Sequence, residues 1–198
     1  ELATGVATDS SGNVYVTGIA SGGLDNNASA GGNDLFVVKY NSSGTKQWTE
    51  QLGTSSSDSA FGVATDSSGN VYVTGGTDGG LDNNTSAGSR DLFVVKYNSS
   101  GTKQWTEQLG TSSSDSGYGV ATDSSGNVYV TGYTNGGLDG TSAGEEDLFV
   151  VKYNSIGTKQ WTKQLGTSGS DSAYGVATDS SANVYVTGYT DGGLDLSL

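Results

Sequence analysis

From Val71, the order Val-Tyr-Val-Thr puts Val71 and Val73 on one side of an extended segment and Tyr72 and Thr74 on the other. From Leu92, Phe93, Val95 and Tyr97 likewise oppose Leu92 and Val94. A period of two marks β-strands. Both faces are substantially apolar, as expected for a sheet with other sheets packed on each side. Four strands are predicted in this stretch, at 62–66, 70–77, 91–98 and 102–110. The separators are polar. "DSSGN" (66–70) and "NSSGT" (98–102) open with Asp or Asn and put Gly where a positive φ is needed, so each predicts a tight hairpin turn. The connection at 79–90 is long and polar and predicts a loop projecting from the scaffold; "TSSSDS" (111–116) links one set of four strands to the next.

The whole pattern recurs. "GVATDSSGNVYVTG" occupies 5–18, returns unchanged at 62–75 and 119–132, and appears again at 175–188 with Ala182 in place of glycine, so the steps are 57, 57 and 56 residues. The one deletion falls where "LDNNTSAGSRD" (81–91) becomes "LDGTSAGEED" (138–147), which marks that segment as a surface connection. The units are 5–61, 62–118, 119–174 and a partial 175–198. Helical periodicity is absent, and a parallel β-helix would repeat over a much shorter span. Four antiparallel strands per 56–57 residues predict an all-β chain, a single β-propeller segment over 1–198 with about 3.5 blades. Ala182 should strain the last hairpin by about 1 kcal/mol if it takes the left-handed conformation that its glycine counterparts are expected to adopt.

Composition narrows the chemistry. Without Cys or His, the chain offers no zinc, haem or iron–sulfur site of the usual kind and no thiol or imidazole catalysis. Any metal would be hard and oxygen-bound. A formal charge of −13, with only 8 Lys plus Arg, disfavours nucleic acid and anionic membrane surfaces as partners. No apolar run approaches the roughly 18 residues of a membrane-spanning helix. The chain opens at Glu1 without a basic-plus-apolar leader, which reads as a mature product or an excised piece.

Three residue sets invite a functional reading. Asp25 and Asp34, Asp82 and Asp91, and Asp139 and Asp147 flank the long loops, where two carboxylates plus Asn side chains and carbonyls could hold calcium. No D-x-D-x-D-G pattern is present, and Asp at strand ends also makes turns. Trp48, Trp105 and Trp161 occur once per complete unit; they could stack on sugar rings, or pack between blades with each indole N–H on a backbone acceptor. Near strand ends the copies differ: Phe61, Tyr118 and Tyr174 share one position, and Ile19, Gly76, Tyr133 and Tyr189 another, so Tyr133 and Tyr189 join the candidate ligand residues. The serines lack a histidine partner and every carboxylate set recurs, so no enzyme is expected.

The runs "GVATDSSGNVYVTG", "DLFVVKYNSSGTKQW" and "QLGTSSSDSAFG" closely resemble the bacterial SBBP repeat, a seven-bladed β-propeller repeat family, and more distantly the NHL repeat hairpin. The resemblance covers essentially the whole chain. It implies a propeller and a secreted or cell-surface bacterial protein, and it brings no catalytic residues with it. The expected function is a non-enzymatic scaffold that presents the loops at 22–34, 79–91 and 136–147 to a surface protein or a polysaccharide, repeated weak contacts adding by avidity. The alternative is a structural subunit that assembles blade to blade into a ring, filament or coat. Propellers close with roughly 4 to 8 blades, so closure calls for other copies or for the rest of a longer chain. Four copies of the first hairpin against three of the second argue against a clean two-chain ring.

Overall fold

The computed structural model describes residues 1–193; the end of the partial unit, 194–198, lies outside the described residues. Fourteen strands follow in order: β1 (Leu2–Thr8), β2 (Val14–Ala20), β3 (Asp34–Tyr40), β4 (Lys46–Leu52), β5 (Asp58–Thr65), β6 (Val71–Thr77), β7 (Asp91–Tyr97), β8 (Lys103–Leu109), β9 (Asp115–Thr122), β10 (Val128–Thr134), β11 (Asp147–Tyr153), β12 (Lys159–Leu165), β13 (Asp171–Thr178) and β14 (Val184–Thr190). They form three four-stranded antiparallel sheets in sequence order and a two-stranded sheet, β13–β14. Successive sheets touch chiefly through their first strands, β1 to β5, β5 to β9 and β9 to β13. These are propeller blades, with the first strand of each at the axis. Three blades and a half fall short of a closed ring, so closure takes further repeats.

The cores lie between blades. Tyr15, Leu35 and Val37 of the first blade bury against Val71, Val73, Phe93 and Val95 of the second, and Tyr72, Leu92 and Val94 of the second against Val128, Val130, Phe149 and Val151 of the third. Both faces of the middle blade are therefore buried, as its two-sided apolar pattern requires. The open faces show the converse: Tyr185 is 57% exposed, while its counterpart Tyr72 is fully covered.

The innermost strands begin four residues before the sequence-based boundary. β5 opens at Asp58 and β9 at Asp115, inside the "SSSDS" stretch that reads as a link. A buried carboxylate explains the extension: Asp115 Oδ2 accepts from the Thr111 backbone N–H at 2.6 Å and from the Thr111 hydroxyl at 3.0 Å, and Oδ1 accepts from the Thr134 hydroxyl across the sheet. Its own N–H donates to the Arg90 carbonyl of the previous blade at 2.8 Å.

The hairpin turns form as expected. Gly126 has φ 75° and Ala182, at the same place, φ 62°. Ala182→Gly should therefore stabilise the last hairpin by about 1 kcal/mol, seen as slower amide exchange at Tyr185 and Val186. Unchanged exchange would show that this turn stores no strain.

Candidate functional site

The two ends of the blades differ in kind. At one end lie both hairpin turns of each complete blade and the single turn of the half-blade. Asp66 Oδ1 accepts from the N–H groups of Ser68 and Asn70 at 2.9 Å, and Oδ2 accepts from Asn70 Nδ2 at 2.8 Å and the Tyr72 hydroxyl at 3.0 Å. Asp9, Asp123 and Asp179 repeat the arrangement. The tryptophans sit nearer this end. Trp48 Nε1 donates to the Ser99 carbonyl of the next blade at 3.3 Å and Trp105 Nε1 to that of Ser155 at 3.4 Å, while each ring packs on the tyrosine of its own blade at 6.0 Å, Trp48 on Tyr15 and Trp105 on Tyr72. Trp161, with no second hairpin described in the half-blade that follows it, keeps the Tyr129 contact and is 36% exposed.

The other end carries the long loops. They lie on their own blades rather than projecting. Leu81 is fully buried, and its N–H donates to Gln108 Oε1 at 2.8 Å; Gln108 Nε2 donates to the Gly79 carbonyl at 3.0 Å and to Asp91 Oδ2 at 2.7 Å. Gln51 and Gln164 hold the first and third loops in the same way. One glutamine side chain thus closes each loop onto the fourth strand.

These contacts separate the loop aspartates. Asp25, Asp82 and Asp139 lie on the outer side, paired with Lys46, Lys103 and Lys163. The Lys46 ammonium, helped by the Thr49 hydroxyl, holds the Asp25 carboxyl below its ordinary value. Asp34, Asp91 and Asp147 are fully buried, each with Oδ2 accepting from a loop N–H and a glutamine and Oδ1 without a hydrogen-bond partner. Among the described residues, no three carboxylates gather around a common point.

Closer to the axis, each first strand carries a β-bulge. Pairing skips Thr4, Phe61, Tyr118 and Tyr174 between their neighbours. A bulged residue is released from the ladder and its side chain is re-aimed. The released rings meet: Phe61 lies 5.3 Å from Tyr118, and Tyr118 5.4 Å from Tyr174 and 5.7 Å from Tyr133, while Tyr174 stacks on Tyr189 at 6.0 Å. Thus Tyr133 and Tyr189, of the sequence candidates, come together with the bulge residues, and the three tryptophans lie elsewhere.

Two charged residues flank this cluster, both overlooked in the sequence. Arg90 reaches over Phe61 at 6.0 Å, donates from Nε to Ser116 Oγ at 3.1 Å and pairs with Asp78 at 2.7 Å. In the following unit Glu146 takes its place and accepts from the Ser172 hydroxyl at 2.9 Å. The signal in the sequence is the residue before the third strand, which changes from Asn33 to Arg90 to Glu146 while the strand after it stays the same.

The SBBP β-propeller repeat profile matches residues 47–82, 104–139 and 160–195, together more than half of the chain. An uncharacterized WD repeat-containing protein, L264, of Acanthamoeba polyphaga mimivirus is 31% identical over 176 residues, which is 74% of this chain and 13% of that protein. The regulatory protein FlaEY of Caulobacter vibrioides is 27% identical over 196 residues, 88% of this chain and 20% of that protein. The chain thus spans a fifth or less of either relative. A crystal structure of a protein of unknown function from Bacteroides caccae shares the fold, with TM-score 0.52 at 12% identity over 93% of this chain and 52% of its own. With the profile matching unit after unit at the period of the blades, the chain belongs to the SBBP β-propeller repeat family.

Proposed function

We propose that the chain is a non-enzymatic scaffold, displayed outside the bacterial cell or on its surface, that binds a protein or carbohydrate through the loop end of its blades. The observation that carries this reading is where the copies differ. Among nearly identical units, the substitutions gather at the loop end, among them Thr4/Phe61/Tyr118/Tyr174, Ile19/Gly76/Tyr133/Tyr189, Ser21/Asp78/Asn135/Asp191, Gly32/Ser89/Glu145 and Asn33/Arg90/Glu146. The exceptions are Ser43/Ser100/Ile156, Glu50/Glu107/Lys163 and Ala182. A face that diverges on a uniform frame is suited to recognition. Support for a non-enzymatic role comes from the carboxylates, whose repeated work is to hold turns and loops.

Arginines placed on the exposed positions Thr85, Ser89 and Glu145 should weaken binding to a bacterial envelope fraction about tenfold, a loss of about 1.4 kcal/mol, measured by surface plasmon resonance. Arginines at the exposed hairpin-end positions Ser67 and Ser124 should leave it unchanged. The reverse pattern would overturn the assignment of the face.

Blade-to-blade self-assembly is favoured by a different observation. Leu2 and Val6 are exposed at one end of the arc and Tyr174 and Tyr185 at the other, and the internal junctions bury the corresponding surfaces. Growth of the particle with concentration in analytical ultracentrifugation supports this reading, and a constant 20.0 kDa species rejects it.

A further inference from the structure

Resting on the reading of the loop end as a binding face, we propose that the mouth of the axis is a site for a neutral saccharide, with Tyr118, Tyr133, Tyr174 and Tyr189 as the platform and Arg90 and Glu146 at its edges. The platform exists because four glycines allow it. Gly132 lies opposite the bulge at Tyr118, and its absent side chain leaves room for the Ser116 carbonyl. Bulges therefore turn one residue per blade toward its neighbours, aromatic in every blade but the first, where it is Thr4, a use they commonly serve beside functional sites.

The chemistry of the platform matches a sugar. A pyranose offers an apolar C–H face and a rim of hydroxyls; a tyrosine offers a ring face and a polar tip. Tyr118 and Tyr133, which have a blade on either side, remain partly exposed, so their ring surface is open to a ligand. The hydroxyls of Tyr15, Tyr72, Tyr129 and Tyr185 all donate to turn aspartates, whereas those of Tyr118, Tyr133 and Tyr174 have no such partner among the described residues. Burial, together with neighbouring Tyr133, Tyr174 and Glu146, pushes the Tyr118 phenol up to about 12, so it keeps its proton and remains a donor. Guanidinium and carboxylate groups bond paired hydroxyls through two parallel hydrogen bonds.

Charge selects a neutral ligand. Arg90 is already paired with Asp78 and occupies the cation position over Phe61, and one anion, Glu146, faces one cation across the cluster. The −13 charge of the chain repels acidic polysaccharides.

The internal repeats supply substitutions that the frame already accepts. Tyr133→Gly installs the residue of the second blade, Tyr118→Phe that of the second and Tyr174→Thr that of the first. Titration of ring-labelled protein with cellohexaose, maltohexaose and chitohexaose, followed by NMR, should give saturable shifts of the Tyr133 and Tyr174 rings with at least one of them. Y133G and Y174T together should weaken that binding about tenfold, with circular dichroism confirming the fold, and Trp105→Phe should leave it unchanged. Absence of shifts with all three probes up to about 10 mM overturns the site. So does a stronger response to choline or to hexagalacturonate. Saccharide binding that survives the tyrosine changes but is lost with arginines at Thr85, Ser89 and Glu145 also overturns it, while leaving the binding face intact.

Discussion

Gly132→Ala is expected to destabilise the chain by about 3 kcal/mol or more. An alanine Cβ there would lie 2.9 Å from the Ser116 carbonyl carbon and 3.0 Å from Gly117 Cα, with the Ser116 oxygen closer still. Those atoms are backbone and cannot swing aside. Relief would require the first strand to move away from the second, which breaks the pairing of Gly132 with Gly117 and withdraws Tyr118 from its ring contacts. Gly18, Gly75 and Gly188 occupy the same position in the other units and meet the same obstacle. The effect is local to a blade, because repeat units couple mainly to their neighbours. Amide exchange at Tyr129–Thr134 should accelerate along with a fall in the urea midpoint. Gly22→Ala, which would meet nothing within 4 Å, is the control and should stay within about 0.5 kcal/mol of the parent. A Gly132→Ala chain as stable as that control would show that the inner strands are not as tightly bulged as described.

How far this was legible in the sequence depends on whether a residue's role is local. The alternation of Val71–Thr74 and the turn chemistry of "DSSGN" act within a few residues, and both are found as read, down to the left-handed φ at Ala182. The class of the tryptophan contact was also readable, since a half-buried indole needs an acceptor. Asp115 was not. Its sequence surroundings, "SSSDS", spell a polar link, and it belongs to a strand because Thr134 and the preceding blade's Arg90 carbonyl hold it there. The loop at 79–90 reads as free for the same reason; the single Leu81 amid polar residues was the clue that it folds back, and Gln108, which holds it, is 27 residues away. For the site, the sequence marks which positions vary. It does not show that they converge, because convergence depends on a one-residue register shift at Tyr118 and on how neighbouring blades face each other.

Asp123→Ala should cost about 3 kcal/mol at pH 7. One carboxylate there serves four donors: Oδ1 takes the N–H groups of Ser125 and Asn127 at 2.9 Å, and Oδ2 takes Asn127 Nδ2 at 2.7 Å and the Tyr129 hydroxyl at 3.0 Å. Tyr129 is 1% exposed, so its hydroxyl would lose its partner in a dry setting, and an orphaned buried donor is what makes such a deletion expensive. Tyr129→Phe removes that donor, so the double variant should be less destabilised than the sum of the singles by about 1 kcal/mol in urea unfolding. The same geometry sets the response to acid. Burial acts to raise Asp123, but the hydrogen bonds from Asn127, Tyr129 and Ser125 outweigh it and hold the carboxyl below its ordinary value; Asp9 and Asp66 follow suit. A folded pKa below the unfolded one means that this stability is complete above about pH 4 and is lost as pH falls through the folded value. Burial holds Asp115 above its ordinary value, so its contribution runs the other way and offsets part of the loss. Asp123→Asn keeps an acceptor oxygen but cannot titrate, so its stability should fall less steeply below pH 4 than that of the parent. An Asp123→Ala chain equal to the parent at pH 7 would mean that the left-handed Gly126, not the carboxylate, sets the turn.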